Sequence, residues 1–170
     1  GLVGSEMCIR DRSELAEMGS LVEKQIYNSI EAFKNKDMVL AKQVMDNDDK
    51  VDELNRKIEE QCLKLMAMES PVATDLRKIF TTSKIVTDLE RIGDQSADIA
   101  ELILEMKEMD SFLMIGHIQD MAKIATKMVK EALDAFHQHD LNHALEVKKM
   151  DIKMDELFDQ VKKDIIQMIK

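Results

Sequence analysis

Tryptophan is absent from this chain, and other aromatic residues are scarce: one Tyr and five Phe, 4% in all. One Pro and five Gly are spread over 170 residues. A β-rich fold reverses direction often, and tight reversals draw on Gly and Pro. Their scarcity, beside 14 Met and many Leu, Lys and Glu, argues against a sandwich or barrel and for long helices with few connections. Two cysteines, Cys8 and Cys62, give no disulfide framework. Cys62 falls on an apolar helical face, so a reducing, cytoplasmic compartment is expected. No apolar run approaches the roughly 18 residues of a membrane span, and no secretory signal is read, so direct membrane insertion is not expected. Basic residues are in deficit, 24 Lys and Arg against 34 Asp and Glu, for a net charge of −10. Nucleic acid and anionic membrane surfaces are poor partners for such a chain. Cations and basic protein surfaces are better ones.

What is present can fold. Hydrophobic residues make up 45% and charged residues 34%, which supports a core and argues against disorder. The first twelve residues, GLVGSEMCIRDR, hold two of the five glycines and show no helical period. They read as a non-native leader and are set apart from the fold. From Ser13 to Lys34, Leu15, Met18, Val22, Ile26, Ile30 and Phe33 recur at helical spacing. The polar stretch at residues 34–37 breaks the pattern, with Asp37 placed to cap the next helix. That helix carries Leu40, Val44, Val51, Leu54, Ile58, Cys62 and Leu65 on one stripe and should end near Glu69. Ser70 and Pro71 are a helix start, Ser at the cap and Pro at the first position. A third helix, from Val72 to about Lys107, has a seam of Ile85, Leu89, Ile92, Ser96, Ile99 and Ile103.

After residues 108–111 the pattern starts again. Setting residue n against residue n+103 pairs Ala32-Phe33 with Ala135-Phe136, Asp37 with Asp140, Val44 with Val147, and Asp52-Glu53-Leu54 with Asp155-Glu156-Leu157. Ten identities fall within about twenty-three ungapped positions. We read an internal duplication of a three-helix unit. The expected architecture is all-α: a first three-helix bundle over residues 13–109 and a second over residues 110–170 that lacks its third helix.

Residues four apart on a helix share a face. Glu90, Asp94 and Asp98 form such an acidic ladder, Asp48 and Asp52 another, and Asp151 and Asp155 repeat the second in the duplicate. Like charges at this spacing destabilise an isolated helix by ~0.2–0.5 kcal/mol per pair. A bound divalent cation would remove that penalty. A solvated face would also account for the acids, since Glu90 and Asp94 lie roughly opposite the isoleucine seam on a helical wheel. His137, His139 and His143 stand near the second turn, without the Glu-x-x-His pattern of carboxylate-bridged metal enzymes. An all-carboxylate set favours hard ions such as Mg, Ca, Mn or Fe over zinc. No Gly-rich phosphate loop or nucleophile signature appears, and an enzyme is not expected. The methionines read as core, with Met106 and Met109 the likelier surface pair.

Residues 69–101, ESPVATDLRKIFTTSKIVTDLERIGDQSADIAE, resemble the PhoU family of phosphate-signalling proteins, whose signatures match Pro71 to Arg77 and Leu89 to Asp94. Residues 18–23, MGSLVE, are similar to that family's first helix. The resemblance implies a six-helix, two-bundle fold with Glu/Asp-x-x-x-Asp metal motifs at Asp48 and Asp52, Glu90 and Asp94, and Asp151 and Asp155. It also implies a cytoplasmic, dimeric regulator that contacts the ATPase of a phosphate ABC transporter and a membrane sensor histidine kinase, and keeps phosphate-starvation genes off when phosphate is plentiful. Its metal would be Mg, Mn or Fe. Two rivals are a cytosolic domain of a sodium–phosphate cotransporter and a carboxylate di-metal enzyme. Within this reading Gly93, which costs ~1 kcal/mol relative to Ala inside a helix, permits a close approach that brings Asp52 towards Glu90 and Asp94.

Overall fold

A computed structural model describes residues 2–68, 73–105 and 115–169. Five helices hold nearly all of them: α1 (Leu2–Asn35), α2 (Met38–Met68), α3 (Ala73–Glu105), α4 (Ile115–Gln138) and α5 (Leu141–Ile169). Among the described residues there is no strand, as the shortage of turn formers requires. α1 extends back through the segment set apart as a leader. Once a helix is nucleated, adding a residue fixes one residue for one hydrogen bond, so a stretch with no apolar stripe can still continue it. The helix start at Ser70-Pro71, Val72, Met106, Lys107, residues 108–111 and Met109 lie outside the described residues.

The predicted stripes of α1 and α2 are the buried ones. Leu15, Met18 and Val22 of α1 and Val51 and Ile58 of α2 are at most 1% exposed, with Cys62 beside them at 3%. α3 packs against both helices. Its buried residues are Ile79, Val86, Leu89, Gly93, Ser96, Ala100 and Ile103. Relative to the isoleucine seam, this face is rotated by roughly 60° at 100° per residue. Ile85, Ile92 and Ile99 sit at its margin, half-buried, and the small residues Gly93, Ser96 and Ala100 occupy its middle. α4 joins the same core: Val129 and Leu133 belong to the cluster that holds Leu15, Met18 and Val22. Contact with α1 includes Gly19, where an added Cβ would lie 2.2 Å from Leu133 Cδ1. α5 packs on α4 alone among the described helices. Two side-chain pairs fasten it there, His117 to Asp164 at 2.8 Å and His143 to Glu131. Leu141, Leu145, Ile152, Phe158 and Ile166 of α5 remain exposed.

The duplication holds at the level of individual hydrogen bonds. α1 ends with Lys36 in the left-handed region at φ 51°, and α4 ends with His139, the n+103 counterpart, at φ 55°. The Asp37 N–H donates to Ala32 O at 2.9 Å, and the Asp140 N–H donates to Ala135 O at 3.0 Å. This is the six-to-one bond of a Schellman ending, made here without glycine. Asp37 Oδ1 accepts the Leu40 N–H at 3.0 Å, and Asp140 Oδ1 accepts the His143 N–H at 3.0 Å. Both aspartates are therefore N-caps, as predicted for Asp37.

Left-handed backbone costs an L-residue ~1–2 kcal/mol, and the extra chain entropy of glycine returns roughly 0.5–1 kcal/mol of that. Lys36→Gly should therefore stabilise the protein by about 0.5–1 kcal/mol in urea titrations. Asp37→Ala should destabilise it by about 0.5–2 kcal/mol, because a side-chain cap is lost. Equal midpoints for both variants would contradict this account of the turn. In native-state hydrogen exchange, α5 amides should exchange faster than those of α2, since α5 is covered on one side only.

Candidate metal centre

Asp48 and Asp52 stand one turn apart on α2, and Asp94 faces them from α3. One carboxylate oxygen of each lies within 4.8 Å of the other two. The convergence depends on Gly93, which is buried at the point where α3 meets its neighbours. A Cβ there would lie 2.9 Å from Gln25 Oε1, 3.3 Å from Val51 Cγ1 and 3.4 Å from Asp48 Oδ1. A side chain at that position would press on α1 and α2 together, so the bare backbone sets how closely α2 can carry its acids to α3.

The geometry places an electrostatic strain on the apo site. At an effective dielectric of about 20, two full charges 4.8 Å apart repel by roughly 3.5 kcal/mol before solvent screening, which lowers that figure for half-exposed groups. Partial burial raises the Asp48 carboxyl above its ordinary value of 3.8. The Gln25 hydrogen bond pulls it back, and the charges of Asp52 and Asp94 push it up further. Burial likewise raises Asp94, with the charges of Glu90 and Asp52 adding to the effect. Gln25 Nε2 donates to Asp48 Oδ1 at 3.0 Å.

Of the seven acids nominated from spacing, the fold assembles three. Glu90 is half-buried beside Asp94 and contributes charge, but lies outside the trio. Asp98 is exposed. Asp151 and Asp155 are also exposed, on a helix whose neighbour among the described helices is α4 alone. Asp52 does approach Asp94 as anticipated, and Asp48 comes with it. The histidines are engaged elsewhere: His139 meets Arg12 at 3.3 Å and His143 pairs with Glu131. Burial holds the His137 imidazole below its usual range.

Three hard oxygen donors, two of them raised in pKa by burial and neighbouring charge, fit a divalent cation of the Mg, Mn or Fe(II) type. Gln25 Oε1, buried without a hydrogen-bond partner beside Gly93, is a further unsatisfied oxygen at the same junction. Sequence reasoning missed Gln25. Its only signal was an amide on the mainly apolar buried face of α1, which also holds Glu14 and Ser29.

Fold and site together define a class: an all-α protein of two related helical repeats with a carboxylate cluster between helices of the first. Known proteins narrow the class. The PhoU domain model matches residues 15–103 and 118–170. A phosphate-specific transport system accessory protein PhoU homolog of Clostridium acetobutylicum is 39% identical over 158 residues, covering 92% of this chain and 72% of the relative. The phosphate-specific transport system accessory protein PhoU of Escherichia coli is 30% identical over 155 residues; the chain spans 64% of its length. The crystal structure of PhoU from Pseudomonas aeruginosa superimposes with a TM-score of 0.91 at 34% identity, covering 97% of this chain and 79% of that one. The chain belongs to the PhoU family.

A carboxyl whose folded pKa is raised binds its proton more tightly in the folded state. Its contribution is most favourable at low pH and declines as pH rises from about 3.8 through the folded value. Asp94→Asn removes one charge of the trio and should raise the melting temperature of the metal-free protein at pH 7. It should also flatten the decline in stability as pH rises above about 3.8. A lower apo melting temperature for this variant at neutral pH would contradict the assigned strain.

Proposed function

We propose that this chain is a regulator of phosphate uptake and phosphate-starvation signalling, working by protein contact rather than by catalysis. The observation that carries the reading is its 39% identity with a phosphate-transport accessory protein, sustained over 92% of the chain. The partners are the ATPase of a phosphate ABC transporter and a membrane sensor histidine kinase, and the chain acts as a dimer at the cytoplasmic face of the membrane. A net charge of −10 favours basic surfaces on those partners. No described helix is long and apolar enough to cross a membrane.

In this reading the trio holds a divalent cation. When bound, the ion supplies charge neutralisation. Asp48 and Asp52 present oxygens from α2, Asp94 presents one from α3, and Glu90 adds charge from the side. Holding both helices to one ion would clamp α2 against α3 in the arrangement that Gly93 permits.

Two measurements test the proposal. The chain should restore repression of a phosphate-starvation reporter in phosphate-replete cells that lack their own PhoU, and should retain the transporter ATPase in a pull-down. Unaltered reporter expression together with no retention would remove the regulatory reading. For the ion, a ligand bound at a hundredfold excess over its Kd raises stability by ~2.7 kcal/mol. Mn²⁺ or Fe²⁺ should therefore raise the melting temperature more than monovalent salt at matched ionic strength, and Asp94→Asn should shrink the difference. A matched response would mean the acids are a solvated face.

A further inference from the structure

The trio is drawn from α2 and α3, yet a third helix reaches it. Gln25 lies on the buried face of α1 at 4% exposure. Its Nε2 donates to Asp48 Oδ1 at 3.0 Å, and its Oε1 is buried without a hydrogen-bond partner. That oxygen is the nearest atom to the position a Cβ of Gly93 would take, at 2.9 Å. A buried amide with one side unsatisfied is costly. Met18, Val22 and Ile26 of α1 are apolar and buried, and the buried hydroxyl of Ser29, one turn on, is satisfied within its own helix by Ile26 O, whereas the Gln25 oxygen is not.

The duplication supplies an internal control. The n+103 counterpart of Gln25 is Met128, while the counterparts of Asp48 and Asp52 are the exposed Asp151 and Asp155. The amide is present in the repeat that gathers its acids and replaced by a thioether in the repeat that does not. We propose that Gln25 is a positioning residue of the metal centre: its N–H holds Asp48 Oδ1 at the α2–α3 junction, and its unpartnered Oε1 gives the site an uncharged acceptor from α1. This rests on the cation reading of the trio. It makes the centre a product of three helices, with α1 seated against it through an amide that accommodates the donor and acceptor needs of its neighbours.

The protein's own second repeat suggests the test. Gln25→Met keeps length and helix preference and removes both amide atoms. In the full chain the metal-free Gln25→Met protein should melt close to the parent, because an apolar isostere replaces an amide left half unsatisfied. Its affinity for Mn²⁺, by titration calorimetry, should fall about 10–100-fold, the usual loss when a group that orients a ligand is removed. The zero-field splitting in the Mn²⁺ electron paramagnetic resonance spectrum should change, which a merely structural residue would not cause. Gln25→Leu, in the same assays, guards against misfolding of the first variant and should show the same loss. Unchanged affinity and an unchanged spectrum in a folded variant would overturn the role of Gln25 and leave the trio standing as a metal site. If the parent itself binds no Mn²⁺ beyond matched salt, the cation reading fails and this inference falls with it.

Discussion

The close approach of α2 to α3 at Gly93 is the constraint on which the site depends. Three side-chain atoms from two helices lie within 3.4 Å of where its Cβ would be, so a larger residue there would displace the Gln25 amide and press on Val51 and Asp48. Closeness allows Asp48 and Asp52 to meet Asp94, and the same closeness makes their charges costly. The repulsion is tolerated because apolar contacts on either side hold the helices: Val51 on α2, and Val86 and Leu89 on α3, are no more than 4% exposed. At ~25 cal/mol per Å² of buried apolar surface, such side chains can outweigh a partly screened repulsion among half-buried acids. Core and site are therefore set against each other along one helix pair, and a cation is the ligand that would remove the opposition.

The two repeats show that a motif's meaning comes from its tertiary neighbours. Asp48 and Asp151 occupy equivalent positions after equivalent turns, with the same capping aspartate and the same left-handed residue before it. One lies in the carboxylate trio and accepts a bond from Gln25, and the other is exposed. Local sequence places both on a helix at one spacing. Only the helix packed across α2 turns one pair of acids into part of a cluster.

Much of the fold was legible in the sequence for this reason: helix boundaries, caps and apolar stripes are local properties. The Asp37 cap, the stripes of α1 and α2 and the n+103 register all reappear in the structure, the last at individual hydrogen bonds. The face of α3 was read less well. Leu89, Ser96 and Ile103 of the expected seam are buried, but Ile85, Ile92 and Ile99 lie at the margin of the buried face, because helices come closest over small residues, and Gly93 and Ala100 share the centre with Ser96. That rotation moved Glu90 and Asp94 from the far side of the helix to the edge of the buried face. Spacing thus identified acids that share a face, but could not say which faces meet, and three of seven converged. Gln25 was unreadable because one amide among the buried residues of α1 has no period, and polar Glu14 and Ser29 lie on the same helix, buried as well. The extent of α1 was missed because helix propagation needs no stripe.

The arrangement of contacts also limits how the proposed metal centre could communicate with the rest of the molecule. Among the described helices α2 and α3 touch α1 and each other, α5 touches α4 alone, and α4 touches α1. Every path from the acidic trio to the exposed apolar face of α5 through these packed helices therefore runs along α1. The two ends of that path are close in sequence. Gly19, which α4 contacts through Leu133, lies six residues before Gln25, about 9 Å along the helix at 1.5 Å per residue. Leu133 Cδ1 fills the space that a Gly19 side chain would take, so a displacement of α1 at that point would meet α4 directly. The amide beside the acidic trio and the glycine at the α4 contact thus stand on one short stretch of the same helix, and any coupling through the packed helices would pass along it.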